Sequence, residues 1–217
     1  MISSKIDEIK KTLPSSVVLV AVSKTKPAEM IEQAMKNGHL DFGENKVQEL
    51  VDKHSTLPKN INWHMIGHLQ RNKVKYIAPF IHLIHGVDSE RLLIEINKQA
   101  KKNNRNIDCL LQFHIAKEST KFGFNMDEIY ELFERKKLEE LKNINIRGVM
   151  GMATFTENKL HIEDEFKQLK NHFTTLSNKL KNDNFNIISM GMSGDYKIAI
   201  DCGSNMVRIG SSIFGAR

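Results

Sequence analysis

No apolar run in the 217 residues approaches the length a membrane-spanning helix needs. The opening segment MISSKIDEIKKTLPSS lacks the apolar core of a secretory leader, and Ile2, Ile6, Ile9 and Leu13 recur instead at helical spacing. There are only two cysteines, Cys109 and Cys202, far apart and without a C-x-x-C pair. Cys109 lies in the apolar run IDCLLQFHI and reads as a small buried hydrophobe. A reduced, cytoplasmic protein without a membrane anchor is the expectation. No G-x-G-x-x-G follows the first strand-like run, and G-x-S-x-G, H-E-x-x-H and Walker patterns are missing too. Metal ligation is not expected either. His64 and His68 are separated by Gly67 in a strand setting, and His82 and His85, three apart on a strand, point to opposite sides. The net charge of +6 is spread over stretches such as NKQAKKNNR and FERKKLEELKN. That scatter describes a solvated lysine surface and gives no stripe for nucleic acid.

Strand-like and helix-favouring runs alternate along the chain without a linker. Strands are predicted over 17–24, 40–45, 62–67, 81–87, 107–115, 145–152, 185–192 and 206–210, with the clearest helices over 28–37, 89–102, 126–142 and 160–181. In the last helix Ile162, Phe166, Leu169, Phe173 and Leu176 form one apolar stripe. Eight such repeats point to an α/β fold with parallel pairing closed into a (β/α)8 TIM barrel, with an open doubly wound sheet as the alternative.

Chemistry gathers at one end of that barrel. Val18, Val20, Val22 and Lys24 share one face of the first strand, so an inward valine face carries Lys24 to the C-terminal rim, where barrel enzymes place their reactive groups. The competing reading is a lysine that snorkels to solvent. After the seventh strand come Gly191, Ser193 and Gly194, and after the eighth Gly210, Ser211 and Ser212. These loops are the usual phosphate site of the fold. On the eighth strand Val207 and Ile209 suit packing against helices, which turns Arg208 inward. A buried guanidinium needs a partner: either a ligand, or a carboxylate such as Glu44. Lysine, phosphate loops and inward arginine together suit a phosphorylated aldehyde held as a Schiff base.

The stretches VAVSKTKP, DFGENKVQEL, WHMIGHLQRNKVK and SMGMSGDYKIAIDCGSNMVRIGSSIFGAR closely resemble the pyridoxal phosphate homeostasis protein family, the proline-synthase co-transcribed type. The resemblance covers the chain in order and implies one domain over 1–217, a barrel like the N-terminal domain of alanine racemases (PLP fold type III), with pyridoxal 5′-phosphate (PLP) as cofactor. Carried over by motif, it implies that Lys24 forms the Schiff base, Asn45 lies near the 3-oxygen of PLP, Ser193, Gly210 and Ser211 bind the phosphate, and Arg208 faces the pyridine nitrogen. ESTKFGF is also family-like, but no role follows for Lys121. Seven residues follow Gly210, so the β domain that completes the site of alanine racemases and supplies their catalytic tyrosine is not expected. The implied protein is a monomer that buffers PLP or delivers it to PLP-dependent apo-enzymes, with no catalytic residue. The rivals are a PLP enzyme of narrow racemase or deaminase activity and a Schiff-base aldolase.

Overall fold

The computed structural model describes residues 1–116 and 122–215, so Lys121 lies outside the described residues. Eight parallel strands close into a barrel in sequence order: β1 (Val18–Val22), β2 (Asp41–Glu44), β3 (Asn62–Met65), β4 (Leu83–Val87), β5 (Ile107–Gln112), β6 (Ile144–Met150), β7 (Ile187–Met192) and β8 (Met206–Ile209). Helices cover the strands outside, and the Ile2–Thr12 helix adds a layer through Ile6, which is buried. Among the described residues no helix is long and apolar enough to cross a membrane.

Strand alternation divides the core in two. Leu19 and Ala21 of β1 and Val207 and Ile209 of β8 face the helices in the large outer core. Val20, Leu83, Leu110, Met150 and Met206 fill the barrel interior. The β1 and β8 faces expected from sequence are therefore the observed ones. The stripe on the Lys159–Leu180 helix is also observed, with Ile162, Phe166, Leu169 and Leu176 buried, and Asn158 caps its first turn by accepting from the His161 N–H at 3.2 Å.

Three segments depart from the sequence expectation. The helix expected over 126–142 breaks in two, Met126–Glu134 and Lys137–Glu140, because Lys136 takes a left-handed conformation with φ of 51°. No glycine or proline marks that break. The fifth strand ends at Gln112 rather than 115, where Phe113 makes a single bridge to Phe124. The fourth begins at Leu83, so His82 precedes it and escapes the alternation assumed above.

β6 also carries a bulge, where the β5 register steps from Cys109↔Ile146 to Leu110↔Gly148. Gly148 has φ of 154°, and a Cβ there would stand 1.8 Å from the Ile187 carbonyl oxygen. We therefore expect Gly148→Ala to part β6 from β7 and to cost on the order of 3 kcal/mol. Thermal unfolding should show a midpoint lowered by roughly 6–12 °C. An unchanged midpoint would show that the bulge relaxes without the glycine.

Candidate functional site

A cavity of about 530 Å³ opens at the C-terminal end of the barrel, and Lys24, Asn45, Ser193, Arg208, Gly210 and Ser211 all line it. Residues from β8 and the turns after β1, β2, β7 and β8 are thus brought to one place. Arg208 faces inward as alternation requires, whereas β1, expected to run to 24, ends at Val22 and Lys24 reaches the rim from the turn after it.

Lys24 follows β1 in a turn of unusual backbone. Thr25 has φ of 64°, which a β-branched residue adopts only when its surroundings hold it there. The surroundings are specific. Ser23 Oγ donates to Glu44 Oε1 at 2.6 Å, and the Thr25 N–H donates to Glu49 Oε1 at 2.6 Å. Lys53 Nζ ties these together, donating to Glu44 Oε1 and Glu49 Oε1 at 2.7 Å each and to the Ser23 carbonyl at 2.8 Å. Both chain neighbours of Lys24 are pinned, so its side chain projects from a fixed base. Glu44 is fully buried. Burial pushes its carboxyl up, against the lowering effect of Lys53 and Ser23. Its partner is Lys53, which removes Glu44 as the carboxylate mate of Arg208.

The Arg208 guanidinium is bound by uncharged acceptors. Nη1 donates to the Ser189 carbonyl at 2.8 Å and to Ser189 Oγ at 2.5 Å, and Nη2 donates to the Gly151 carbonyl at 3.1 Å. Burial lowers its pKa to about 10, partly offset by Asp195, so it remains a cation at neutral pH. The hydrogen bonds continue through the barrel. Ser189 Oγ lies 2.9 Å from His85 Nδ1, His85 Nε2 lies 2.9 Å from His64 Nδ1, and His64 Nε2 lies 3.2 Å from Asp41 Oδ1. Ser189 Oγ accepts from arginine and keeps both a proton and a second lone pair that can meet His85 Nδ1. Burial holds His85 well below the usual histidine range, so its neutral ring carries one proton and donates to only one of its two partners, Ser189 or His64. A hydrogen-bonded chain thus runs from the buried cation to a carboxylate at the far end of the barrel.

The anion-seeking end is built from two loops. The Gly210 N–H donates to Ser193 Oγ at 3.2 Å, which joins the turn after β7 to that after β8. Met192 N–H donates to Asp195 Oδ1 at 2.5 Å and closes the first loop. Ser211 begins a helical turn, Ser211–Phe214, whose first amides have no partner within the turn. Asn45 reaches the cavity because Gly67 yields to it: a Cβ on Gly67 would stand 2.6 Å from the Asn45 carbonyl and 2.8 Å from Asn45 Cβ.

Sequence reasoning missed several lining residues. Gln112 is buried and donates to the Phe122 carbonyl at 2.8 Å. His68 stacks on Phe122 with ring centroids 4.0 Å apart and pairs with Asp88 at 2.8 Å. The inward alternation of β5 could have found Gln112; nothing in the sequence signals the His68–Phe122 stack.

The fold has counterparts. A family model described as "Alanine racemase, N-terminal domain" matches residues 1–217. A pyridoxal phosphate homeostasis protein of Pasteurella multocida is 39% identical over 94% of this chain and 88% of its own length, and one of Aquifex aeolicus is 38% identical over 92% and 86%. PipY of Synechococcus elongatus, solved without PLP, superposes with a TM-score of 0.94 at 30% identity, covering 99% of this chain and all of its own. The same protein with PLP bound gives 0.90. Alanine racemase of Clostridium difficile, at 18% identity and a TM-score of 0.76 over 56% of its length, shares the fold. With matches of this identity spanning nearly the whole of both chains, this chain belongs to the pyridoxal phosphate homeostasis protein family, whose barrel is that of the alanine racemase N-terminal domain.

Proposed function

We propose that this chain is a cytoplasmic PLP-holding protein that buffers the cofactor or delivers it to PLP-dependent apo-enzymes, acting as a monomer of one domain over 1–217. The observation that carries the reading is the convergence of Lys24, Arg208 and the Ser193 and Ser211 loops on one cavity. The donor set fits the group: an amine on a fixed turn, two loops rich in hydroxyls and N–H groups, and a cation between them. PipY, similar along its whole length, has been solved with PLP bound. When bound, PLP supplies an aldehyde that an amine captures as a Schiff base and a ring that accepts electrons.

Each residue has one task. Lys24 supplies the amine. Ser193, Gly210 and Ser211 hold the phosphate through hydroxyl and backbone N–H groups. Asn45 donates toward the 3-oxygen, and Arg208 donates toward the ring nitrogen. A guanidinium donates a hydrogen bond without surrendering its proton, so the ring nitrogen beside Arg208 stays unprotonated and draws electrons weakly. That favours holding PLP over turning amino acids over, and the relatives are named for homeostasis rather than for a reaction.

The test adds PLP to the protein, follows the visible absorption band, and mixes the loaded protein with a PLP-free enzyme beside an equal amount of free PLP. A band, and activation of the recipient at least equal to that by free PLP, are expected. The loaded protein should turn over no common L- or D-amino acid at about one per second or faster, the ordinary enzyme range. Sustained turnover would make it a racemase or deaminase instead.

A further inference from the structure

The barrel end opposite the cavity carries a second cluster. Asp41 opens β2, His64 is the third residue of β3, and His82 immediately precedes β4. One ligand-type atom from each lies within 4.8 Å of the others. We propose that these three side chains form a binding site for a divalent transition-metal ion of the imidazole-preferring class, with Zn²⁺ as the reference ion. The proposal stands independently of PLP.

Geometry supports it first. With metal–ligand bonds of about 2.0–2.1 Å, the edge of a tetrahedral site is about 3.3 Å. His64 Nε2 and Asp41 Oδ1 stand 3.2 Å apart, so one edge is already set. The His82 ring lies 5.3 Å from that of His64, centroid to centroid. His82 is exposed and Asp41 half-buried, so an ion can enter and His82 can rotate to meet it. Two imidazoles and one carboxylate suit zinc, cobalt, nickel or copper better than magnesium or calcium, which prefer oxygen ligands. Water completes the shell.

The supporting partners are also present. Asn62 Nδ2 donates to Asp41 Oδ1 at 3.1 Å and orients the carboxylate. His64 is held at its other nitrogen by His85 at 2.9 Å, and His85 by Ser189. Fixing the far nitrogen of a ligating histidine in this way typically matters about 10–100-fold in metal affinity.

Binding has a specific internal consequence. With metal on His64 Nε2, the proton of that ring sits on Nδ1 and is donated to His85 Nε2. The single proton of the neutral His85 ring is then on Nδ1, facing Ser189 Oγ, which has a second lone pair to accept it. Loading the far end of the barrel therefore fixes both histidine tautomers along the chain that ends on Arg208.

The experiment titrates Co²⁺, then Zn²⁺, into the purified protein and into His82→Ala and Asp41→Asn, both at the open rim and each checked for an unchanged unfolding midpoint. One equivalent should bind to the wild-type protein, with the visible bands of low-coordinate Co²⁺, and each variant should bind at least tenfold more weakly. Nitrogen-15 histidine spectra should show the His85 proton on Nδ1 when Zn²⁺ is bound. Equal affinity in all three proteins, absence of binding, or a His85 proton on Nε2 with Zn²⁺ bound would overturn the assignment.

Discussion

Lys24→Ala should abolish covalent retention of PLP while leaving the barrel folded. Ser23, Thr25, Glu44, Glu49 and Lys53 set the backbone on either side of Lys24, and all five remain in the variant. Removing the amine should therefore leave the unfolding midpoint near that of the wild-type protein, within the roughly 0.5 kcal/mol typical of half-exposed positions. The effect on PLP is large. Loss of the covalent link leaves only the phosphate loops, Asn45 and Arg208, and retention should fall about 100-fold or more, near 2.8 kcal/mol. Borohydride reduction followed by peptide mapping reads this directly: wild-type protein should carry the adduct on Lys24, and the variant should carry none. Lys26 is the informative control. It lines the same cavity, and its Nζ donates to the Gly215 carbonyl at 3.3 Å. An adduct on Lys26 in the wild-type protein would remove Lys24 from its role and leave the rest of the site standing.

How much of this was legible in the sequence depends on the range of the contacts. Strand period placed Lys24 and Arg208 at one rim, because the alternation of side chains needs only neighbours in the chain. The paired glycine and serine loops were legible for the same reason. The Lys53–Glu44 pair was not. Lys53 sits on the Val47–Thr56 helix, and nothing in its spacing says that it reaches through to the Ser23 carbonyl. The chain from Arg208 to Asp41 was still less accessible, since its central bond joins His85 to Ser189 across 104 residues. The reading of His82 from alternation also started from a strand boundary that the structure moves to Leu83, which frees that ring to approach His64. Local periodicity therefore fixes which way a side chain faces; closure of the barrel decides whom it meets.

Arg208→Leu should separate the structural role of that residue from its role toward the cofactor, with the larger effect on stability. From sequence alone the guanidinium had two candidate roles, a salt bridge or a ligand contact. The structure gives it three bonds to uncharged acceptors, Ser189 O, Ser189 Oγ and Gly151 O. Leucine fills much of the volume; Ser189 O keeps the Gly151 N–H at 3.2 Å and Ser189 Oγ keeps His85 at 2.9 Å, while Gly151 O loses the arginine donor. A net loss of about 1–3 kcal/mol follows, the cost of one buried acceptor left without its donor. For a chain of this size that is a midpoint lowered by about 2–12 °C. Arg208→Glu should be worse, because it sets a carboxylate against two carbonyl oxygens that have only lone pairs to offer. Arg208→Lys keeps the cation and one donor at a time, so it should recover part of the stability. If Arg208 also donates to the ring nitrogen, folded Arg208→Lys protein should keep its borohydride-reducible link to Lys24 but show a shifted visible band, since the hydrogen bond to the ring is altered while the amine and the phosphate loops are not. A lowered midpoint with an unshifted band would make Arg208 a brace between β6, β7 and β8 that does not touch the cofactor.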